Sequence, residues 1–94
     1  MKKVNLEFKL PVSIIKEGKK YIAYTPALDL STFDKSYSGA KKRFEEIVSI
    51  FFEEIIKKGT LKEVLQDLGW KRAQTTWNPP MVVSQDFQTI RVPT

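Results

Sequence analysis

Val4, Leu6, Phe8, Leu10, Val12 and Ile14 alternate with Asn5, Glu7, Lys9, Pro11 and Ser13. A period of two over this length predicts a long strand with one buried face. Pro11 falls on the other parity and removes a ladder donor, so the strand is expected to lie at an edge there or to carry a bulge. Residues 16–19 read as a hairpin turn, with Gly18 free to take positive φ. Residues 21–25 form the second expected strand, Pro26 ends it, and residues 30–33 form a short third. Tyr21 and Ala23 share one parity of the second strand, and Ile22 and Tyr24 share the other. Both of its faces therefore carry large residues, and one of them needs a cover other than a single helix.

After Ser36 the period changes. Ala40, Phe44, Ile47, Val48, Phe51 and Ile55 recur at three and four, which places one apolar stripe on a long helix. Ile50, Phe52 and Ile56 fall outside that stripe and widen it. Ser36 is the expected N-cap, because its hydroxyl can accept from an orphan N–H. Gly39 stands where a capping-box Glu would help, so the start is expected to be weak. Glu53 with Lys57 and Glu54 with Lys58 are favourable i,i+4 pairs. Gly59 ends the helix in a left-handed cap. Thr60 and Glu63 read as a capping box opening a second helix over 61–68, which Gly69 ends. Trp77-Asn78-Pro79-Pro80 cannot be helical, and residues 81–83 and 88–92 look like short strands.

The expected fold is α+β: an antiparallel three-stranded sheet with one long helix packed on it, a short second helix, and an extended C-terminal segment. The chain has 94 residues, so one domain is expected over 1–94. Residues 1–69 form its β-β-β-α-α core, and 70–94 supply the extended segment and one possible added strand. No apolar run reaches the roughly 20 residues that a membrane span needs, and no signal-peptide pattern follows the basic start. These features predict a cytoplasmic protein.

Composition narrows the chemistry. The chain has no Cys and no His, which removes thiol nucleophiles, disulfides, the commonest metal ligand and the usual general base. No Ser sits in a nucleophile elbow and the glycines form no phosphate loop. A non-enzyme without cofactor or bound metal is expected. Glu45, Glu46, Glu53 and Glu54 read as a solvated helix face. Asp29 and Asp34 flank the third strand and read as turn and cap residues rather than half of a metal site. Lys41-Lys42-Arg43 is spread around the helix axis, and the net charge of +5 is scattered. Tyr21, Tyr24, Phe33, Trp70 and Trp77 read first as core and second as stacking platforms for single-stranded nucleic acid. The apolar surplus at Ile50, Phe52, Ile56, Trp77, Val82 and Ile90 points to a homo-oligomer, most simply a homodimer.

The pattern Glu17-Gly18-x-x-Tyr21-x-Ala23-x-x-Pro26-x-Leu28 resembles that of the HicB antitoxins. The likeness runs on through Tyr37, Ala40 and Arg43-Phe44-Glu45-Glu46, and then through Gly59-Thr60-Leu61 to Leu68-Gly69-Trp70. The resemblance implies a partial RNase H-like fold without nuclease carboxylates. It also implies a non-catalytic role in which the protein binds and neutralises a small HicA-type mRNA-cleaving toxin. This sequence departs from the family at Asp34-Lys35 and at Ser38-Gly39. Residues 71–94 are too short and too proline-containing for the added DNA-binding module that many such proteins carry, so operator binding is not expected of them. Acidic groups at a loop suit a basic RNA-cleaving partner, which makes Tyr24, Asp29 and Asp34 the expected toxin-facing residues. Two alternatives stand beside this reading. One is a stand-alone oligomeric scaffold or small-ligand module without a toxin. The other is a nucleic-acid-binding protein using sheet aromatics and Lys residues.

Overall fold

The computed structural model describes residues 8–94. The order is β1 (Ser13–Glu17), β2 (Lys20–Thr25), β3 (Leu30–Asp34), α1 (Tyr37–Lys57), α2 (Leu61–Asp67), β4 (Lys71–Ala73) and β5 (Thr76–Asn78). Strands β1, β2 and β3 form one antiparallel sheet in chain order, and β4 with β5 forms a separate two-stranded one. The long helix packs on one face of the larger sheet, against β2 and β3. This is the α+β arrangement that the hydrophobic pattern predicts.

The first strand is shorter and later than its pattern suggests. Residues 4–7 of the expected strand lie outside the described residues, and the ladder begins only at Ser13. Pro11 supplies the reason, since it has no N–H to give to a ladder. The period-two burial persists without pairing. Leu10 packs against both core clusters, Phe8 against one and Ile14 against the other, while Val12 stays 42% exposed. Pairing of Glu17 with Lys20 leaves a two-residue hairpin loop at Gly18 and Lys19. Gly18 takes a φ of +59° at the first loop position, where a tight hairpin needs it.

The core has two parts. Ala23, Ala40 and Phe44 meet where β2 crosses the first half of α1. Ala27, Leu28, Phe52, Ile55, Leu65 and Trp70 fill the other end, with Phe8 stacked near Phe52 and Trp70 at centroid distances of 5.0 and 5.2 Å. Trp70 is 3% exposed and its indole N–H donates to the Ala27 carbonyl at 2.7 Å. Burying such a ring removes about 200 Å² from water, which at about 25 cal/mol/Å² is worth on the order of 5 kcal/mol before entropy. Phe52 therefore belongs to the core and not to an outer surplus: it lies eight residues after Phe44 and three before Ile55, on the same side of α1. Ile50 and Ile56 do lie outside, 62% and 53% exposed.

Both helices end in the same motif. At the end of α1, the Gly59 N–H donates to Ile56 and the Thr60 N–H to Ile55, with Gly59 at φ +71°. At the end of α2, the Gly69 N–H donates to Gln66 and the Trp70 N–H to Leu65, with Gly69 at φ +89°. These are Schellman caps. Thr60 is occupied by the first of them, which prevents the capping box expected with Glu63. Its hydroxyl turns back to the Ile55 carbonyl at 3.4 Å instead of capping α2. Of the two expected ion pairs on α1, Glu54 and Lys58 meet at 3.1 Å.

Past Trp70 the chain makes a small hairpin that the pattern does not announce, turned at Gln74 with φ +57°. Trp77 is half-buried against the aromatic end of the core, with the Arg72 guanidinium 5.9 Å above its ring. The strands expected at 81–83 and 88–92 do not form; residues 79–94 carry no regular structure. No strand lies beside them to accept their N–H groups, so alternation alone cannot make a ladder. Among the described residues, no helix is long and apolar enough to cross a membrane.

Candidate protein-docking site

The connection from β2 to β3 is fixed from both sides. Underneath, Thr25 is fully buried and its hydroxyl accepts from the Ala27 N–H at 3.2 Å. Ala27 and Leu28 are buried, and the Trp70 indole holds the Ala27 carbonyl. On the outside, the Tyr24 hydroxyl donates to Asp29 Oδ1 at 3.3 Å, closing the loop across five residues. Asp29 takes a left-handed φ of +51°, a conformation that Asp tolerates better than most residues. Partial desolvation, and then the neighbouring Asp29 carboxylate, push the Tyr24 phenol above its usual 10.0. The hydroxyl is thus protonated at neutral pH and able to donate. A polar corner of one phenol and one carboxylate is displayed on a loop that the core immobilises, as docking sites generally require.

Asp34 does not join this corner. It pairs with Tyr21 at the far end of β3, while Thr25 pairs with Leu30 near Asp29. Asp34 also shares the parity that faces α1, whereas Tyr24 points to the open face. Its carboxylate is taken up by the start of the helix. Asp34 Oδ2 accepts from the Ser36 N–H at 3.1 Å and from the Ser36 hydroxyl at 3.2 Å. Ser36 Oγ in turn accepts from the Gly39 N–H at 3.0 Å, and the Arg43 side chain lies 3.5 Å from Asp34 Oδ1. The Ser36 backbone bond leads the causes that hold the Asp34 carboxyl below its ordinary 3.8. Gly39 is the enabling residue. A Cβ there would fall onto the Asp34 carboxylate, 2.6 Å from its Cγ and 2.7 Å from Ser36 Oγ. The helix start is therefore well capped, with an upstream Asp doing what a capping-box Glu would do from within the helix.

The open face of the sheet is the one that the sequence expects to need a second cover, and its apolar row includes Ile15 and Phe33 besides Ile22. Ile15 pairs with Ile22 and Ile22 with Phe33, so the three form one apolar row across all three strands. Ile15 and Phe33 are 49% and 53% exposed. The clue in the sequence is the shared parity of Ile22 and Tyr24 opposite Ala23. At the hairpin end, lysines sit over aromatic rings on both sides of the sheet: Lys20 over Phe33 at 4.9 Å on the open face, and Lys16 over Tyr21 and Lys41 over Tyr37, each at 5.6 Å, on the helix side. Tyr21 and Tyr37 meet edge to face at 6.3 Å. Among the described residues, no three acidic side chains converge on one point. No family model, curated protein or solved structure matches the chain.

Proposed function

We propose that this chain is a cytoplasmic, non-catalytic antitoxin-like protein that acts as a homodimer and neutralises a HicA-type mRNA-cleaving toxin by binding it. One observation carries the reading. The segment from Tyr21 to Leu28 that resembles the HicB pattern folds as β2 and its clamped loop, and the loop displays the Tyr24–Asp29 corner. The toxin-facing surface is centred on Tyr24 and Asp29. Asp34 leaves the proposed surface because it caps α1. An exposed carboxylate on a rigid loop offers a charge-assisted hydrogen bond to the Arg or Lys side chains of an RNA-cleaving partner. The chain's net charge of +5 does not oppose this, since association follows local patches.

The test is co-purification with the product of an adjacent gene, followed by an RNA-cleavage assay. The chain alone is expected to leave RNA intact with divalent metal present, and to stop cleavage by the toxin at stoichiometric ratio. Metal-dependent cleavage by the chain itself, abolished by Asp29→Asn, would overturn the proposal.

A second reading is favoured by the lysine-topped aromatics at the hairpin end. Lys16, Lys20 and Lys41 beside Tyr21, Phe33 and Tyr37 combine phosphate-pairing charge with stacking surfaces for a single strand. Fluorescence anisotropy with a labelled single-stranded RNA separates the two readings. Binding that weakens steeply with salt and is lost in Lys16→Glu with Lys20→Glu supports nucleic acid. Salt-insensitive absence of binding leaves the toxin reading alone.

A further inference from the structure

Two surfaces of this chain are left uncovered, and each is suited to cover the other. The first is the Ile15–Ile22–Phe33 row on the open sheet face. The second is the tail, where Met81, Val83, Phe87, Ile90 and Val92 are 84%, 96%, 108%, 71% and 72% exposed. A fully solvated Phe in an extended segment contributes nothing to the fold of its own chain. We infer that the tail of one copy docks on the open sheet face of a second copy, in a two-fold exchange. This rests on the homodimer reading above and adds which surfaces meet.

Three observations select a second copy as the occupant. The tail passes the open face at its corner, where the Gln85 amide donates to Ser13 Oγ at 3.2 Å. Beyond that point, residues 86–94 span up to about 30 Å if extended, and every one of them is exposed on its own body. Area comes next. The uncovered tail residues together with Ile15 and Phe33 leave about half or more of each side chain in water, and an exchange that covers two such patches at once moves the contact toward the ~800 Å² that each partner contributes to a stable complex. A reciprocal exchange uses both patches of both copies, as a two-fold interface requires. The third is charge. The strand residues of the open face carry Glu17 and Lys20, and the tail carries Asp86 and Arg91. Each surface is locally neutral with one acid and one base, so two chains of net charge +5 meet there without like-charge repulsion. Lys20, now over the Phe33 ring, becomes part of the polar rim.

Light scattering at tens of micromolar is the test, on the full chain and on Phe87→Glu and Phe33→Glu. Phe87 is wholly exposed, so its variant cannot fail for lack of folding. The chain has no Cys, so Phe33→Cys and Phe87→Cys in differently tagged copies supply a clean cross-link. A dimer that dissociates at least ~10-fold more readily in either Glu variant, with a disulfide joining the two tags, is expected. A dimer indifferent to both Glu variants would overturn the exchange and leave the dimer itself standing. A monomeric wild type would overturn both. A monomeric wild type whose binding to the toxin is lost in Phe87→Glu would reassign the tail to the toxin and also overturn the exchange.

Discussion

Asp29 and Asp34 stand at the two ends of one five-residue strand, and their surroundings are opposite. Asp34 accepts two hydrogen bonds from Ser36, faces Arg43, and has a glycine opposite it that leaves room for its carboxylate. Asp29 accepts one 3.3 Å bond from Tyr24 and holds a left-handed backbone on the surface. The first acid is committed to building the fold. The second is held in place by the fold yet leaves most of its carboxylate free. The difference teaches which acid can serve recognition: a carboxylate whose lone pairs are already used gives a partner little, whereas one on an immobilised loop offers its charge without an ordering cost.

The comparison breaks most readily at Gly39. Ala is the better helix former by about 1 kcal/mol, and on propensity alone Gly39→Ala would stabilise the protein. Its methyl group would displace the Asp34 carboxylate, and overpacking of this kind costs about 1–3 kcal/mol. A net loss of about 1 kcal/mol, seen as a fall of several degrees in Tm, is expected. A rise in Tm would mean that Asp34 is not seated on the cap. Next in size is Ser36→Ala, which removes the side-chain acceptor for the Gly39 N–H and is expected to cost about 1 kcal/mol in urea unfolding.

The acid limb sharpens the contrast further. Asp34 titrates below its ordinary 3.8 in the folded protein, so its contribution to stability is complete above that value. It is lost as pH falls through the lower folded value. Asp34→Asn should therefore flatten part of the stability decline below about pH 4. Stability profiles that superimpose across that window would contradict the capping role. The smallest effect belongs to Asp29→Gly. Glycine takes positive φ without strain and only one exposed bond is lost, so thermal unfolding is expected to move by no more than about 0.5 kcal/mol.

Much of this was legible in the chain. The three strands, the turn at Gly18, the Ser36 cap and both glycine stops follow from local chemistry, and the structure has them. Phe52 is not singled out by the stripe because Phe51 satisfies it equally well, and only the packing of Trp70 and Phe8 decides which ring turns inward. The β4–β5 hairpin has no local signal, because Gln74 is a rare turn residue at positive φ. The turn-and-cap reading of Asp34 follows from its place beside the third strand, while its link to Gly39 is a contact in space that no spacing rule reports. The resemblance and the loop chemistry point to Tyr24 and Asp29 together with Asp34, and only the first two meet. The rigidity of that pair comes from Trp70, 43 residues away from Ala27, and so lies beyond any local reading.

Calorimetric titration of a HicA-type toxin into wild type, Asp29→Lys and Ser36→Ala tests the division of labour between the two acids directly. Asp29→Lys is expected to weaken binding by at least ~10-fold, as charge reversal at a contact does, and to lower Tm slightly, because Lys is less at ease than Asp at the left-handed φ of +51°. Ser36→Ala is expected to lower Tm and leave affinity intact. Affinity of Asp29→Lys within about a factor of two of wild type, well under the 1.4 kcal/mol of a tenfold change, would contradict the account.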